Sequence, residues 1–334
     1  MQYRKPDLKN RKTVGIVLAV YNGEYFLVQQ LESIALQDYQ GWDLYARDDD
    51  SNDDSQAIVK KHSEKEGRFH VLMNGKGNMG ARDNFALLIN MKELTSYGYV
   101  AFSDQDDVWQ NNKLSVQLDA MRKMEEEFPE SALLIHSDMA VVDASLMMIA
   151  PSFLAYQGIK HEKIYPLKVL LAQNFVTGCT VMVNRKLLDI ALPIPEEALM
   201  HDWWLALCAA VFGHIGFIDK PLVKYRQHGD NEVGAKHIGD FLNPITGKWK
   251  KRWLEGRENL FQSMKQAEAL AERIRKHEPE NPNLALVEAY ADLQGASRWQ
   301  RIKKIQQLGV HAQSNSRQAL LLSRLLLTSK TKYD

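Results

Sequence analysis

The stretch VGIVLAVYNGEYFLVQQLESIAL, residues 14–36, decides the fold class of this 334-residue chain. Its first part, Val14–Val20, is a nearly continuous apolar run rich in β-branched residues, which predicts a buried strand. Its second part, Glu24–Leu36, carries apolar residues at helical spacing and predicts a helix. A buried strand followed at once by a helix is typical of an α/β fold with parallel strands.

The alternation of strands and helices continues to about residue 110. Further strands are predicted at Asp43–Ala46, Phe69–Met73 and Tyr99–Phe102, and helices at Asp53–Glu66 and Arg82–Leu94. This order predicts a parallel sheet with helices on both faces and right-handed crossovers.

The pattern changes twice in the rest of the chain. Residues 130–236 combine shorter strands with helices, whereas residues 239–334 show helical periodicity and few strand formers. We therefore predict an α/β domain over residues 1–238, with halves at about 13–110 and 130–236. A helical C-terminal extension over residues 239–334 follows it.

Composition and charge argue against several protein classes. Lys plus Arg equals Asp plus Glu at 42 each, so no global charge indicates a nucleic-acid partner. The two cysteines, Cys179 and Cys208, form neither a disulfide framework nor a zinc motif, which favours a reducing, cytoplasmic setting. The polar N-terminus does not resemble a signal peptide, and no run of about 18 apolar residues predicts a membrane span.

Polar clusters follow three of the predicted strands. Tyr21-Asn22 comes after the first strand, Asp48-Asp49-Asp50 after the second and Ser103–Asp107 after the fourth. Ligands of open α/β sheets bind outside the carboxyl ends of the strands. We therefore expect the three clusters to lie at one edge of the sheet and to form a site.

The run Asp104-Gln105-Asp106-Asp107 places three carboxylates in four positions. Because carboxylates this close repel one another, a divalent cation such as Mg²⁺ or Mn²⁺, completed by substrate phosphates, would hold them together. The alternative is a solvated acidic turn before the helix predicted at Asn112–Met124. His228 could add an imidazole ligand to such a metal, although a single His is more often structural.

Asp202 lies in the run His201-Asp202-Trp203-Trp204, which opens an apolar helix. A simple N-cap is one interpretation. The other is a general base, because a carboxylate beside two indoles would be partly desolvated and its pKa raised. The local sequence alone favours the N-cap interpretation.

These segments, in this order, resemble the family 2 glycosyltransferases of the GT-A fold over roughly residues 13–236. The resemblance is carried by the opening strand with its Tyr-Asn turn and by five short motifs: ARDDDSNDDS (46–55), GNMGARDNF (77–85), SDQDDVW (103–109), FVTGC (175–179) and HDWW (201–204). Asp50 stands where the family usually has Gly. The wording of SDQDDVW, HDWW and YRQHGDN (225–231) is most similar to bacterial rhamnosyltransferases of O-antigen and capsule synthesis.

The resemblance implies a role for each matching residue. A nucleoside diphosphate sugar donor would be bound by Tyr21, Asn22, Asp48, Asp49, Arg82 and Asp104. The metal ion, Mn²⁺ or Mg²⁺, would be held by Asp106 and His228. The acceptor would be contacted by Gly178, Trp203 and Trp109, and its hydroxyl would be deprotonated by Asp202.

These roles together imply an inverting transferase that needs no protein nucleophile. The finer resemblance suggests L-rhamnose from dTDP-rhamnose as the sugar and a saccharide, carried on a polyprenyl diphosphate, as the acceptor. Two other classes remain open. A nucleotidyltransferase would usually show an early glycine-rich phosphate loop, which YNGEY (21–25) does not supply. A non-catalytic carbohydrate-binding protein could retain the same fold.

The C-terminal extension is basic and contains an apolar run. Residues 296–334 carry eight Lys or Arg against one acid, Asp334, and leucines are concentrated in Ala319–Leu327. Upstream, the segment 248–253 interleaves basic and aromatic residues. Such helices suit peripheral contact with anionic lipid on the inner face of the plasma membrane. Alternatively, the leucines pack against the catalytic domain or a second subunit.

Overall fold

The computed structural model of the protein describes residues 14–72, 75–228 and 249–327. In this part of the chain nine strands form one sheet: β1 Val14–Val20, β2 Trp42–Asp48, β3 Phe69–Val71, β4 Tyr99–Ser103, β5 Val108–Trp109, β6 Ala132–Val142, β7 Met148–Ala150, β8 Met182–Asn184 and β9 Gly213–Arg226. Their order is β3-β2-β1-β4-β8-β6-β9-β5, and β7 pairs with the end of β6.

Helices connect and cover the strands. In the first two thirds of the chain they are α1 Glu24–Ala35, α2 Ser55–Lys65, α3 Ala81–Ile89, α4 Lys113–Glu127, α5 Phe153–Gln157, α6 Pro166–Leu170, α7 Arg185–Ala191 and α8 His201–Phe212. In the C-terminal region they are α9 Trp249–His277, α10 Leu284–Ala291, α11 Arg298–Leu308 and α12 Asn315–Leu327.

The first half of the sheet is parallel, as predicted. Strand β1 pairs in parallel with both β2 and β4, and β2 pairs in parallel with β3. The second half is mixed, because β8 runs antiparallel to both β4 and β6, while β6 and β9 are parallel. The mixed α/β architecture with flanking helices is therefore confirmed.

Two strands differ from the sequence prediction. Strand β9 has 14 residues and begins at Gly213, whereas the sequence indicated only shorter strands in this part of the chain. Pairing with the buried strand β6 along this length holds the first half of β9, which contains two glycines, in the sheet. Strand β5 has two residues and pairs antiparallel with β9, which no periodicity could predict.

Apolar side chains fill a core on each face of the sheet. Along β1, Val17 faces one core, while Ile16 and Leu18 face the other. The Ile16 side is covered by α1, α2 and α4, and the Val17 side by α3, α7 and α8. Helices therefore lie on both faces, as the alternating sequence predicted.

The C-terminal helices pack onto the core that contains α8. Leu270 of α9 is completely buried in it, and Tyr290 of α10 is buried with its hydroxyl 2.8 Å from the Ser263 hydroxyl. Leu321 and Leu325 of α12 lie in the same core. At least these two leucines therefore pack against the catalytic domain, which was one of the two alternatives for the leucine-rich segment. The domain boundary predicted at 238/239 lies outside the described residues.

Among the described residues, no helix combines the length and the apolar character that a bilayer crossing requires. Of the basic and aromatic segment 248–253 near the start of α9, the side chains of residues 248–252 lie outside the described part. Trp253 donates its indole N–H to the Ser323 hydroxyl of α12.

We predict that α9 stabilises the whole catalytic core. Leu270→Ala should lower the free energy of unfolding by about 2–5 kcal/mol, because it removes a buried side chain and leaves a cavity. Denaturant unfolding of the full chain measures the change. Leu327→Ala is the matched control, since Leu327 is exposed, and it should change stability by no more than about 0.5 kcal/mol. Equal effects of the two substitutions would contradict the role of α9.

Candidate active site

The three polar clusters meet at the carboxyl edge of the sheet, as predicted. The Gln105 amide binds Tyr21 twice: it accepts from the Tyr21 N–H at 2.6 Å and donates to the Tyr21 carbonyl at 2.7 Å. Asn22 joins the second cluster, since its N–H donates to the Ser51 hydroxyl and its side chain accepts from the Asn52 N–H. One network of hydrogen bonds therefore connects the loops after β1, β2 and β4.

The backbone of these loops explains two residue choices. A Cβ on Gly23 would lie 2.6 Å from the Gln105 side chain, so only glycine leaves room for the clamp on Tyr21. Asp50 has a φ of 69°, in the left-handed region. This conformation favours glycine, and Asp is among the few other residues that tolerate it.

The two acidic residues after β2 support the loops around them. Asp48 accepts hydrogen bonds from the N–H and the hydroxyl of Ser51. Asp49 is buried, forms an ion pair with the buried Arg47 and accepts from the N–H groups of Met79 and Gly80. We therefore reassign Asp49 from direct donor contact to positioning of the loop before α3. Arg47 was not predicted as a site residue, because the predicted strand ended at Ala46, whereas β2 continues through Arg47 to Asp48.

Arg82 bridges α3 and the segment before α8. Its guanidinium donates to both carboxylate oxygens of Asp83, at 2.7 and 2.8 Å, and to the carbonyl oxygens of Glu196 and Ala198. These contacts fix the side chain beside the site, and donor contact by Arg82 stays a prediction.

Asp106 and His228, which are far apart in sequence, are neighbours in the fold. The Nε2 atom of His228 lies 3.0 Å from Oδ2 of Asp106, and the side chains are 14% and 15% exposed, respectively. Antiparallel pairing of β5 with β9 brings them together, and the His228 ring packs against Phe26 at 4.8 Å between centroids. A carboxylate and an imidazole so placed, open to solvent, fit two ligands of Mn²⁺ or Mg²⁺.

Arg226, another residue that sequence analysis missed, holds this pair in position. Its N–H donates to Asp107 at 3.2 Å, and its guanidinium donates to the carbonyl oxygens of Asp106 and Ala144 and to the Gln29 side chain. The guanidinium also lies over the Phe26 ring at 4.4 Å. A single buried arginine therefore connects the acidic loop, the loop after β6 and α1.

A second set of potential metal ligands lies next to this pair. Asp104, Asp107 and Cys179 bring one ligand atom each within 4.8 Å of one another. Asp107 is fully buried, and burial, together with the charges of Asp106 and Asp104, raises its pKa well above the usual value. Mn²⁺ and Mg²⁺ prefer oxygen ligands over a thiol, so Asp106 and His228 suit them better.

Asp202 lies inside the first turn of α8. The N-cap position is occupied by Met200, so the N-cap interpretation of Asp202 is wrong. Asp202 is only 8% exposed, and burial raises its pKa to about 6, against hydrogen bonds from the Trp203 and Gly178 N–H groups that lower it. A carboxylate with this pKa is ionised at neutral pH and still basic enough to accept a proton.

Gly178 and Cys179 link Asp202 to the acidic loop. Gly178 donates its N–H to Asp202, and the next residue, Cys179, lies beside Asp104. A Cβ on Gly178 would lie 2.9 Å from Nε2 of His201, so glycine lets the start of α8 approach. Asp202 and the acidic loop therefore share one edge of the sheet.

The two tryptophans predicted at the acceptor site differ in position. Trp203 is half-buried, and its indole N–H donates to the Leu170 carbonyl at 2.6 Å. Trp109 is 2% exposed and lies in the core on the α1 side, so it cannot reach an acceptor. That prediction is wrong because the two-residue strand β5 turns the indole inward, where Lys113 Nζ lies 3.6 Å from the ring centre.

The chain is similar to a known protein family and to several of its members. The model of Glycosyl transferase family 2 matches residues 15–189, slightly more than half of the chain. The dTDP-rhamnosyl transferase RfbG of Shigella flexneri is 26% identical over 70% of this chain and 81% of its own length. The UDP-Glc:alpha-D-GlcNAc-diphosphoundecaprenol beta-1,3-glucosyltransferase WfgD of Escherichia coli is 32% identical over 70% of this chain and 88% of its own.

Solved structures share the fold at lower identity. S. aureus TarS 1-349 in complex with UDP-GlcNAc has a TM-score of 0.53 and 15% identity, covering 94% of this chain and 88% of that one. GalNAc-T7 with UDP, GalNAc and Mn²⁺ has a TM-score of 0.51 and 9% identity, covering 66% and 45%. These likenesses show the GT-A fold. With the family model and the sequence relatives, they lead to one assignment: the chain belongs to glycosyl transferase family 2.

Proposed function

We propose that this family 2 enzyme is an inverting, metal-dependent glycosyltransferase of cell-surface polysaccharide synthesis. The proposal rests on one observation: a pair of potential metal ligands and a carboxylate suited to accept a proton lie at the same edge of the sheet. A carboxylate–imidazole pair that fits a divalent cation, Asp106 and His228, lies near Asp202, whose pKa is raised to about 6. A protein that only binds carbohydrate has no use for this combination.

The reaction follows from these groups. The Asp202 carboxylate accepts the proton of the acceptor hydroxyl, whose oxygen attacks the anomeric carbon of the donor. The bond to the nucleoside diphosphate breaks on the opposite face, so the anomeric configuration inverts. Mn²⁺ or Mg²⁺, when held by Asp106 and His228, supplies neutralising charge for the departing diphosphate. Tyr21, which is 44% exposed, is free to stack on the nucleobase.

The relatives guide the choice of substrates. One is named for dTDP-rhamnose, and another for UDP-glucose and a diphosphoundecaprenol-linked acceptor. GalNAc-T7 was solved with Mn²⁺. We propose dTDP-rhamnose as the donor and a polyprenyl-diphosphate-linked saccharide as the acceptor. Family membership decides against the nucleotidyltransferase alternative.

Peripheral membrane contact is a further part of the proposal. Helix α11 contains no acidic residue, and its exposed Trp299 stands beside the exposed Arg298 and Lys303. An aromatic ring flanked by cations suits the surface of an anionic bilayer. An acceptor on a lipid carrier would require the enzyme to work there.

We predict that Asp202→Asn lowers turnover by about 10²–10⁴-fold, because general base catalysis typically contributes that much. Donor affinity should survive. The kcat/KM of the wild type should fall as pH drops below about 6, where Asp202 becomes protonated, and this acid limb should be absent in the variant. Asp219→Asn, at an exposed position, is the control. Near-wild-type turnover in Asp202→Asn would contradict the base assignment.

The donor and metal roles are tested together by thermal unfolding with UDP, dTDP, GDP and CMP, each with and without Mn²⁺. A ligand at about 100 times its Kd adds about 2.7 kcal/mol of stability. We expect one diphosphate to stabilise the protein only with Mn²⁺, and Asp106→Ala and His228→Ala to lose this effect, unlike the exposed control Asp119→Ala. No response of the wild type to any nucleotide would refute the proposed donor site.

Membrane contact is tested by co-sedimentation with vesicles of phosphatidylglycerol or phosphatidylcholine. The full chain should pellet with the anionic vesicles, and the double variant Trp299→Ser/Lys303→Gln should pellet several-fold less. Tyr165→Ser, which removes another exposed aromatic ring, is the matched control. Identical pelleting of the double variant and the wild type would remove α11 as a lipid contact.

A further inference from the structure

Lys113 is a buried cation with no assigned role. It is the first residue of α4 and is 0% exposed, whereas lysine is almost never fully buried without a partner charge. Its Nζ donates no hydrogen bond to the described part of the chain. The first turn of a helix is also the wrong end for a cation, because the helix dipole is positive there.

The surroundings of Lys113 offset these costs. Its Nζ lies 3.6 Å from the centre of the Trp109 ring, a distance at which the π face attracts a cation. Asp107, Asp104 and Cys179, which cluster within 4.8 Å of one another, form the electrostatic environment of the amine. Asp107 is itself completely buried. The side chain therefore lies between an indole and the inner side of the acidic loop.

We propose that Lys113 is a positioning residue whose ammonium, seated on Trp109, is the internal cation that offsets the repulsion within the Asp104–Asp107 loop while no divalent metal is bound. The inference rests on the proposed function only in assigning the metal to this loop. This proposal also gives Trp109 a role that matches its burial. Its indole ring holds the Lys113 ammonium in place and does not contact an acceptor.

A Lys113 that offsets charge should behave differently from a Lys113 that only fills space in the core. Before the metal arrives, the carboxylates repel one another, and Lys113 relieves the repulsion. After the metal arrives, the same ammonium lies near a second cation and opposes its binding. Removing the charge should therefore destabilise the metal-free protein more than the metal-bound protein.

The test uses the full chain with Lys113→Met, which removes the charge at similar volume, at pH 6.5. This pH lies below the value of about 7 to which burial lowers the pKa of Lys113. We expect a lower unfolding temperature without metal, a larger upward shift on adding Mn²⁺ than in the wild type, and Mn²⁺ binding about tenfold tighter. The control is Lys123→Met on the exposed side of the same helix. An equal loss of stability with and without Mn²⁺, at unchanged Mn²⁺ affinity, would overturn the proposal.

A second measurement keeps the inference testable if Lys113→Met folds poorly. In metal-free protein, Asp107→Asn and the double variant Lys113→Met/Asp107→Asn complete a double-mutant cycle. We expect the double variant to be more stable than the sum of the single losses allows; additive losses would refute the proposed charge coupling. The cycle needs no metal, so its result is separate from the proposed function, which fails if the wild type responds to neither Mn²⁺ nor any nucleotide.

Discussion

The site depends on the compensation of carboxylates that converge at one edge of a sheet. Arg47 pairs with Asp49 after β2, and Arg226 binds the Asp106–Asp107 loop, each almost completely buried. Burying a charge costs several kcal/mol unless a partner of opposite charge and hydrogen bonds offset it. Each arginine and its acidic loop therefore stabilise each other. The carboxylates and carbonyl groups of the loop offset the cost of burying the arginine, and the arginine holds the loop in its conformation. The loops are thereby shaped before any ligand binds.

Sheet topology explains why distant residues complete this site. Parallel strands β1, β2 and β4 bring three loops to one edge, but they supply no base and no imidazole. The antiparallel strand β8 starts at that edge, so Gly178 and Cys179 connect the acidic loop to α8 and Asp202. The pairing of β5 with β9 adds His228 on the other side. The mixed half of the sheet thus supplies the groups that the parallel half lacks.

The sequence predicted those features that depend on residues close together along the chain. The alternation from Val14 onward predicts the parallel strands, and the polar clusters after them predict the edge. The direction in which a side chain points is harder to predict. An aromatic residue beside an acidic run has the same local sequence whether it points outward or, like Trp109, into the core. Asp49 is equally ambiguous, because its burial depends on Arg47 and on a loop about 30 residues away in sequence. Such outcomes depend on tertiary pairing, which spacing does not encode.

Burial alone does not make a carboxylate suitable as a general base. The site contains two buried carboxylates, Asp107 and Asp202, that differ in this respect. Burial raises the pKa of both Asp107 and Asp202, but Asp107 is completely buried and also faces the charges of Asp106 and Asp104, whereas Asp202 keeps some exposure. The C-terminal helices help to fix Asp202 there. The side chain of Gln266 of α9 accepts a hydrogen bond from the N–H of Leu199, three residues before Asp202. The C-terminal helices therefore help to hold the segment before α8, in whose first turn Asp202 lies.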